Sequence, residues 1–225
     1  LQLINFYPKL PKEKIKMIYN PIDFQRIENK SNDIDGLSNQ DKKLVEDDYI
    51  CTVARIDENQ KDIETLIIAY EKLYKEGKIN DKLFIIGEGQ SKSYLENLVI
   101  QKGLQDKVLF LGKKSNPFIW MKHANIFVLS SKFEGFGMVL VEAMAVNTYV
   151  ISSNCKTGPA EILNHGDCGD LFEIGDVETL SGLIEKAIAN KERTDYTIAK
   201  AKIRIKEFIE LISINQLVSL IEEIN

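Results

Sequence analysis

Short apolar runs alternate with longer amphipathic stretches through the central part of the chain. The apolar runs predict six strands, most of them bounded by Gly, Ser or Asp, at 49–54, 82–87, 108–111, 125–130, 148–153 and 169–172. The stretches between them predict helices at 63–76, 91–102, 116–122, 138–145, 159–163 and 177–190. Short strands that are apolar throughout and alternate with helices are typical of a parallel sheet covered on both faces. We therefore predict an α/β fold with a Rossmann-like, doubly wound parallel sheet.

The two ends of the chain show different patterns. Residues 14–19 alternate like a strand, whereas residues 25–48 are polar and charged and predict an irregular connection. Two further helices are predicted at 196–210 and 212–224. The predicted units are an inter-domain linker with the first strand of the domain (1–48), a ligand-binding sheet domain (49–192) and C-terminal helices (193–225). Because the chain begins at Leu1 without Met, we expect a fragment of a longer protein that is cut at a domain boundary.

The composition limits the class of protein. Of the 225 residues, 44% are apolar and 28% are charged, which is typical of a globular chain. The net charge of −5 argues against a general nucleic-acid partner. The three cysteines, Cys51, Cys155 and Cys168, are widely spaced, so we expect reduced thiols in a cytoplasmic protein. No apolar run approaches the roughly 20 residues that span a bilayer.

Two cations lie where a ligand of such a sheet would bind. Ligands of doubly wound sheets bind beyond the carboxyl ends of the strands, and Arg55 and Lys61 lie in the loop after strand 49–54. An Arg fork and a Lys point charge can together neutralise a diphosphate. They can equally be solvated cations that offset Asp57 and Glu58, and the residues alone leave both interpretations open.

A glycine-bearing loop follows the next strand. Gly87 and Gly89 form a G-x-G pattern that leads into a helix. A dinucleotide fingerprint requires a third glycine and an acidic residue at the end of the following strand. That strand ends instead in Leu111-Gly112-Lys113, so an NAD site fits poorly.

The segment 129–145 carries the most specific pattern in the chain. A strand runs into a glycine-bearing turn that opens directly into a helix, and such a helix N-terminus binds anions through free backbone N–H groups. The N–H groups near Gly137 and Met138 would face a diphosphate, while Glu134 and Glu142 would accept hydrogen bonds from hydroxyls at its two ends. This combination predicts a nucleotide-sugar as the ligand. The alternatives are a solvated helix glutamate at 142 and a core position for Phe136.

This segment also resembles a known family. Glu134-Gly-Phe-Gly followed by Glu142-Ala-Met is similar to the paired-glutamate motif of retaining glycosyltransferases of family 4, which have the GT-B fold. The resemblance extends over residues 14–190 and implies the C-terminal, donor-binding domain of such an enzyme. Arg55 and Lys61 match the two cations of the family's phosphate-binding loop.

The resemblance departs from the family at two neighbouring positions, because Ala54 and Asp62 replace the glycines that flank the two cations. It assigns catalytic roles to Arg55, Lys61 and Glu134. It assigns binding of the donor to Gly87, Gly89, Lys113, Gly135, Phe136, Gly137, Met138, Val139 and Glu142. A role near the site for Glu161 stays open against that of a first-turn helix acid.

The resemblance also implies the activity and the partners. The whole enzyme would transfer a sugar from a nucleotide-diphosphate donor to an acceptor hydroxyl, in polysaccharide or glycoconjugate synthesis, without a metal or a cofactor. The pair Asp33 and Asp35 spells a metal-binding D-x-D, but no apolar strand precedes it, so we interpret it as chance. The acceptor would bind to a missing N-terminal domain, which could also contact the inner face of the membrane. The rival hypotheses are a nucleotide-sugar epimerase of the same fold and a non-catalytic nucleotide-sugar-binding module.

Overall fold

The computed structural model describes residues 18–209, 214–215 and 217–221, and its centre is one parallel sheet. The strands are β1 (Tyr49–Val53), β2 (Lys82–Ile86), β3 (Val108–Gly112), β4 (Ile126–Leu129), β5 (Tyr149–Ser153) and β6 (Asp170–Phe172). They are ordered β3-β2-β1-β4-β5-β6, and every neighbouring pair is parallel. All six predicted strands are confirmed to within two residues at each end.

Helices connect the strands and cover both faces of the sheet. They are α1 (Phe24–Ser31), α2 (Asn39–Leu44), α3 (Ile63–Lys75), α4 (Lys92–Gln101), α5 (Phe118–His123), α6 (Met138–Ala145), α7 (Pro159–Ile162), α8 (Val177–Ala189) and α9 (Lys191–Arg204). Successive residues of one strand enter different cores: Tyr49 and Cys51 pack into one apolar cluster, and Ile50 packs into the other. The prediction of a doubly wound parallel sheet is thereby confirmed.

The irregular connection predicted at 25–48 is wrong, because α1 and α2 occupy most of it. Each helix begins at a capping side chain: Asp23 accepts a hydrogen bond from the Arg26 N–H at 2.9 Å, and Ser38 accepts one from the Asp41 N–H at 3.1 Å. Ile27 of α1 is buried in the core. Two short helices with few apolar residues therefore look like a polar loop in the sequence.

The ends of the described chain differ from the prediction in part. Of the strand predicted at 14–19, residues 14–17 lie outside the described residues, and Ile18 and Tyr19 are not in a strand. The helix predicted from 196 begins earlier, at Lys191, because Asn190 caps it by accepting the Arg193 N–H at 3.0 Å. The predicted division between residues 192 and 193 therefore falls inside α9.

The C-terminal segment continues past α9 as a 3-10 turn, Ile205–Phe208. Beyond it, the described residues 214–215 and 217–221 are helical, and the rest of the helix predicted at 212–224 lies outside the described residues. In the described ranges, no helix is long and apolar enough to cross a membrane.

The strand order determines where a ligand can bind. The order 3-2-1-4-5-6 reverses direction between β1 and β4, which pair directly, and ligands of such sheets bind in the crevice beyond the carboxyl ends at this point. The loops that meet there are 54–62, after β1, and 130–137, after β4. These two loops carry half of the predicted site residues, including all three that are predicted to be catalytic.

Candidate functional site

Lys61 and Glu134 form an ion pair across the crevice. The Lys61 Nζ atom lies 2.5 Å from the Glu134 Oε1 atom, and the two side chains are only 13% and 9% exposed. The pair joins the loop after β1 to the loop after β4. The structure thus brings together two of the three predicted catalytic side chains.

The loop that carries Glu134 is also held by hydroxyl groups. The Ser131 hydroxyl donates to the Glu134 Oε1 atom at 2.6 Å, and the Thr157 hydroxyl donates to the Glu134 carbonyl at 2.6 Å. The Ser153 hydroxyl donates to the Ser131 carbonyl at 2.6 Å. Glu134 is therefore fixed through both its side chain and its backbone.

Arg55 lies at the rim of the crevice. Its side chain is 66% exposed, its guanidinium donates to the Gln60 amide oxygen at 2.8 Å, and it lies 3.6 Å from the Asp57 carboxylate. Gln60 in turn connects the two loops, because its carbonyl accepts the Lys132 N–H at 2.7 Å. Arg55 is thus accessible to a ligand and held in place by its own loop.

The N-terminus of α6 faces the same crevice without a cap. Gly137 precedes the helix with a left-handed φ of +93°, no side chain of the described residues caps the helix, and its first turn contains no acidic residue. The first N–H groups, those of Met138 and Val139, have no intrahelical acceptor. The N-terminus of α6 therefore has the geometry and the partial positive charge of an anion site.

Glu142 differs from an ordinary helix glutamate. Its side chain is half-buried, and it makes no hydrogen bond or ion pair within the part of the chain that the structure describes. Burial raises the pKa of its carboxyl group. The surrounding helix is apolar and includes Val141 and Ala143. A carboxylate that is partly desolvated and has free acceptor positions is suited to hydrogen-bonding the hydroxyls of a ligand.

The two glycines of the G-x-G loop have a packing requirement. A Cβ atom at Gly87, where φ is +146°, would lie 1.9 Å from the Ala54 carbonyl oxygen, and one at Gly89 would lie 2.1 Å from the Ile56 carbonyl oxygen. The loops after β1 and β2 therefore touch through their backbones. This contact accounts for both glycines, and their role in donor binding stays a prediction.

A groove of about 540 Å³ runs along the carboxyl ends of β1 and β2. Its lining residues are Val53, Ala54, Arg55, Ile86, Gly87, Glu88, Lys113, Lys114 and Pro117. Three of the predicted site residues, Arg55, Gly87 and Lys113, thus share one cavity. Within the described residues, Lys113 is exposed and makes no ion pair.

Phe136 packs in an aromatic cluster. Its ring centroid lies 5.6 Å from that of Tyr19 and 6.0 Å from that of Phe208. Phe136 is half-buried against the core, and its role in donor binding stays a prediction. Gly135 is exposed and lies in the turn beside the same crevice. Glu161, which the sequence left open, accepts a hydrogen bond from the Tyr19 hydroxyl at 2.9 Å.

The structure also shows residues that the sequence analysis missed. Ser131 and Thr157 fix Glu134, and Gln60 fixes Arg55. Ser and Thr are common in turns for local reasons, so no sequence signal separates these hydroxyls from ordinary turn residues. Among the described residues, no group of three or more His, Cys, Asp or Glu is placed to hold a metal ion. Asp33 caps a turn by accepting the Gly36 N–H at 3.2 Å.

Solved structures share this fold, among them that of a glycosyltransferase from Rickettsia africae. The chain superimposes on the structure of Anabaena HepE in complex with UDP and glucose with a TM-score of 0.80 at 20% sequence identity, and the match covers 99% of this chain and 60% of that one. The sheet and its helices are therefore one half of a GT-B fold. The predicted fold class is confirmed.

The sequence itself places the chain in a family. Residues 33–204 match the family described as glycosyl transferases group 1, and the chain belongs to it. An uncharacterized glycosyltransferase of Methanocaldococcus jannaschii is 36% identical over 163 residues, which are 72% of this chain and 39% of that protein. The N-acetylgalactosamine-N,N'-diacetylbacillosaminyl-diphospho-undecaprenol 4-alpha-N-acetylgalactosaminyltransferase of Campylobacter jejuni is 33% identical over 207 residues, which are 92% of this chain and 53% of that protein. The chain spans about half the length of these relatives.

Proposed function

We propose that the chain is the donor-binding half of a retaining glycosyltransferase. The whole enzyme transfers a sugar from a nucleotide-diphosphate donor to an acceptor hydroxyl, in polysaccharide or glycoconjugate synthesis. One observation carries the proposal: the ion pair of Lys61 with Glu134 lies where the strand order reverses, beside the N-terminus of α6. Among the described residues, no side chain caps this helix and its Glu142 has no partner.

The diphosphate of the donor binds among positive groups. The accessible guanidinium of Arg55 and the ammonium of Lys61 neutralise the phosphate oxygens, and the free N–H groups of α6 at Met138 and Val139 donate to them. As the bond between the sugar and the diphosphate breaks, negative charge grows on the leaving group, so these donors stabilise the transition state more than the ground state. No metal ion or cofactor is needed for this step.

The two glutamates hold the hydroxylated ends of the donor. Glu142 accepts hydrogen bonds from the ribose hydroxyls, and Glu134 accepts them from the transferred sugar. Lys113 and the G-x-G loop line the groove that receives the nucleobase. The comparison supports this class of ligand, since the HepE structure of the same fold contains UDP and glucose.

The acceptor side of the reaction belongs to the other half of the enzyme. The chain spans about half the length of its relatives, and we propose that the other half is an N-terminal domain that binds the acceptor. The relative from Campylobacter jejuni is named for an acceptor attached to diphospho-undecaprenol, which supports a cytoplasmic protein that works beside the membrane. We expect the chain alone to bind the donor and to turn over poorly.

Calorimetric titration with UDP, GDP and ADP tests the proposal. We expect saturable binding of one nucleotide, and at least a tenfold loss of affinity in both the Glu142→Ala and the Arg55→Ala variants. Glu46→Ala is the matched control, because Glu46 is exposed and lies just before the amino end of β1, at the opposite edge of the sheet. The proposal would be overturned if the folded chain binds none of the three nucleotides and the chain joined to its other half binds none of them either.

A further inference from the structure

Two buried hydroxyl groups, those of Ser131 and Ser153, link Glu134 to the sheet. Ser131 and Ser153 are both 0% exposed, and they connect β5 to the loop after β4. The Ser153 hydroxyl donates to the Ser131 carbonyl, and the Ser131 hydroxyl donates to the Glu134 carboxylate, each at 2.6 Å. This connection runs from the rigid sheet to the carboxylate of the site.

We propose that Ser131 is a positioning residue that turns the Glu134 carboxylate toward the transferred sugar, with Ser153 supporting it. The inference rests on the proposed function, since it concerns the same donor site. Its basis is the distribution of hydrogen bonds over the two carboxylate oxygens.

The two oxygens of Glu134 have different surroundings. The Oε1 atom accepts from both the Lys61 ammonium and the Ser131 hydroxyl. Within the described residues, the Oε2 atom has no hydrogen-bond partner from the protein. A carboxylate held through one oxygen by two donors is fixed in rotation, so the other oxygen keeps its acceptor positions for a ligand. Oε2 is therefore the atom that accepts a hydroxyl of the sugar.

Ser131 has a task that Lys61 cannot fulfil alone. A diphosphate in the crevice competes with Glu134 for the Lys61 ammonium, because phosphate oxygens are strong acceptors of charge-assisted hydrogen bonds. When the ammonium turns toward the phosphate, the Ser131 hydroxyl is the donor that still holds the carboxylate. Lys61 can then serve the leaving group while Glu134 keeps its orientation toward the sugar.

The test compares a nucleotide with its sugar derivative. We would measure the affinities of UDP and UDP-glucose for the parent chain and for the Ser131→Ala variant, or those of the matching pair if GDP or ADP proves to be the bound nucleotide. We expect the affinity for the nucleotide alone to change less than twofold. The extra affinity for the nucleotide-sugar should fall by about three- to tenfold, the usual net effect of losing one ordinary hydrogen bond.

Three further variants separate positioning from a merely structural role. Glu134→Gln should lose the same extra affinity as Ser131→Ala, and Ser153→Ala should shift it in the same direction by a smaller amount. Ser181→Ala is the control, since Ser181 is also buried but donates to a helix carbonyl in α8. Its affinities should equal those of the parent.

The outcomes distinguish this inference from the proposed function. An equal loss of affinity for both ligands in Ser131→Ala, or no loss for either, overturns the positioning role while the donor site stands. A parent chain that binds the nucleotide-sugar no better than the nucleotide also overturns it, because Glu134 then holds no sugar. If neither ligand binds to the parent chain, alone or joined to its other half, the proposed function itself is overturned. If Ser131→Ala does not fold, the Ser153→Ala variant decides by the same comparison.

Discussion

The Lys61 ammonium and the Glu134 carboxylate lie 2.5 Å apart, although 73 positions of sequence separate them. One residue follows β1 and the other follows β4, and these strands are neighbours at the point where the strand order reverses. The proposed anion-binding cation and the proposed sugar-binding carboxylate are thus already in contact before any ligand arrives. Their contact offsets part of the cost of burying two charged side chains.

We expect Lys61→Met to destabilise the fold, because it leaves the Glu134 carboxylate largely buried with no cation beside it. The loss of unfolding free energy should be about 1–3 kcal/mol. The double variant Lys61→Met with Glu134→Gln should recover most of that stability, since it removes the unpaired charge. Urea denaturation of the parent, the two single variants and the double variant measures the coupling. An additive result would show that the pair contributes nothing.

Gly87→Ala should destabilise the chain by at least about 2 kcal/mol, because the left-handed φ and the contact with the Ala54 carbonyl both oppose a Cβ atom. Gly182→Ala is the matched control. Gly182 lies within α8, and among the described residues no atom other than its chain neighbours and the nearby helix backbone lies within 4 Å of an added Cβ, so alanine there should stabilise by about 0.5–1 kcal/mol. The difference is measured by chemical denaturation. Equal stability of the two variants would contradict the packing explanation of Gly87.

The stability of the chain should depend on pH through Glu142. Burial raises the pKa of this carboxyl group, so the folded chain binds the proton more tightly than the unfolded chain does. The stabilisation of the folded chain by this tighter proton binding is complete below the pKa of the carboxyl group in the unfolded chain, about 4.3. It is lost as the pH rises through the pKa of the same group in the folded chain. Glu142→Gln cannot ionise, so its melting temperature should exceed that of the parent at pH 7, and the advantage should shrink toward pH 4.

Thermal melts of both proteins between pH 4 and pH 8 check this expectation, with Glu46→Gln as an exposed control that should show no such trend. A constant difference between Glu142→Gln and the parent across this range would contradict it. The same substitution should weaken nucleotide binding, because the amide replaces one acceptor oxygen with a donor. Proteins commonly retain a residue that lowers their stability where that residue is needed for binding, as we expect of Glu142.

A second cavity, of about 270 Å³, should hold ordered water. Two of its lining residues, Asn116 and Trp120, each carry a buried polar atom (Oδ1 and Nε1) that finds no hydrogen-bond partner among the described residues of the protein. An unpaired acceptor and an unpaired donor on residues that line a polar cavity of this size are a usual setting for bridging water. Trp120 is the only tryptophan of the chain, so its indole N–H gives a single NMR signal. We expect a cross-peak between this proton and water, and its absence would contradict the prediction.

The strands and most helices could be read from the chain because their signals are local. Every apolar run predicted a strand that the structure contains, and the helix at 138–145 was predicted with its observed bounds. Strand and helix periodicity reflects contacts between near neighbours and one buried face, which are written directly into the order of residues. Periodicity does not predict the helices of the segment 25–48, because they are short and polar. They are held by capping side chains and a few buried residues such as Ile27.

The arrangement of the site depended on contacts between distant parts of the chain. The sequence marked Lys61, Glu134 and Glu142 as candidates, but only the order of the strands brings Lys61 to Glu134 and leaves Glu142 without a partner among the described residues. Ser131 and Ser153 became visible only when β4 and β5 were paired. A hydroxyl acquires a function from the group it faces, and which groups face each other is decided when the whole chain packs, because no local pattern carries that information.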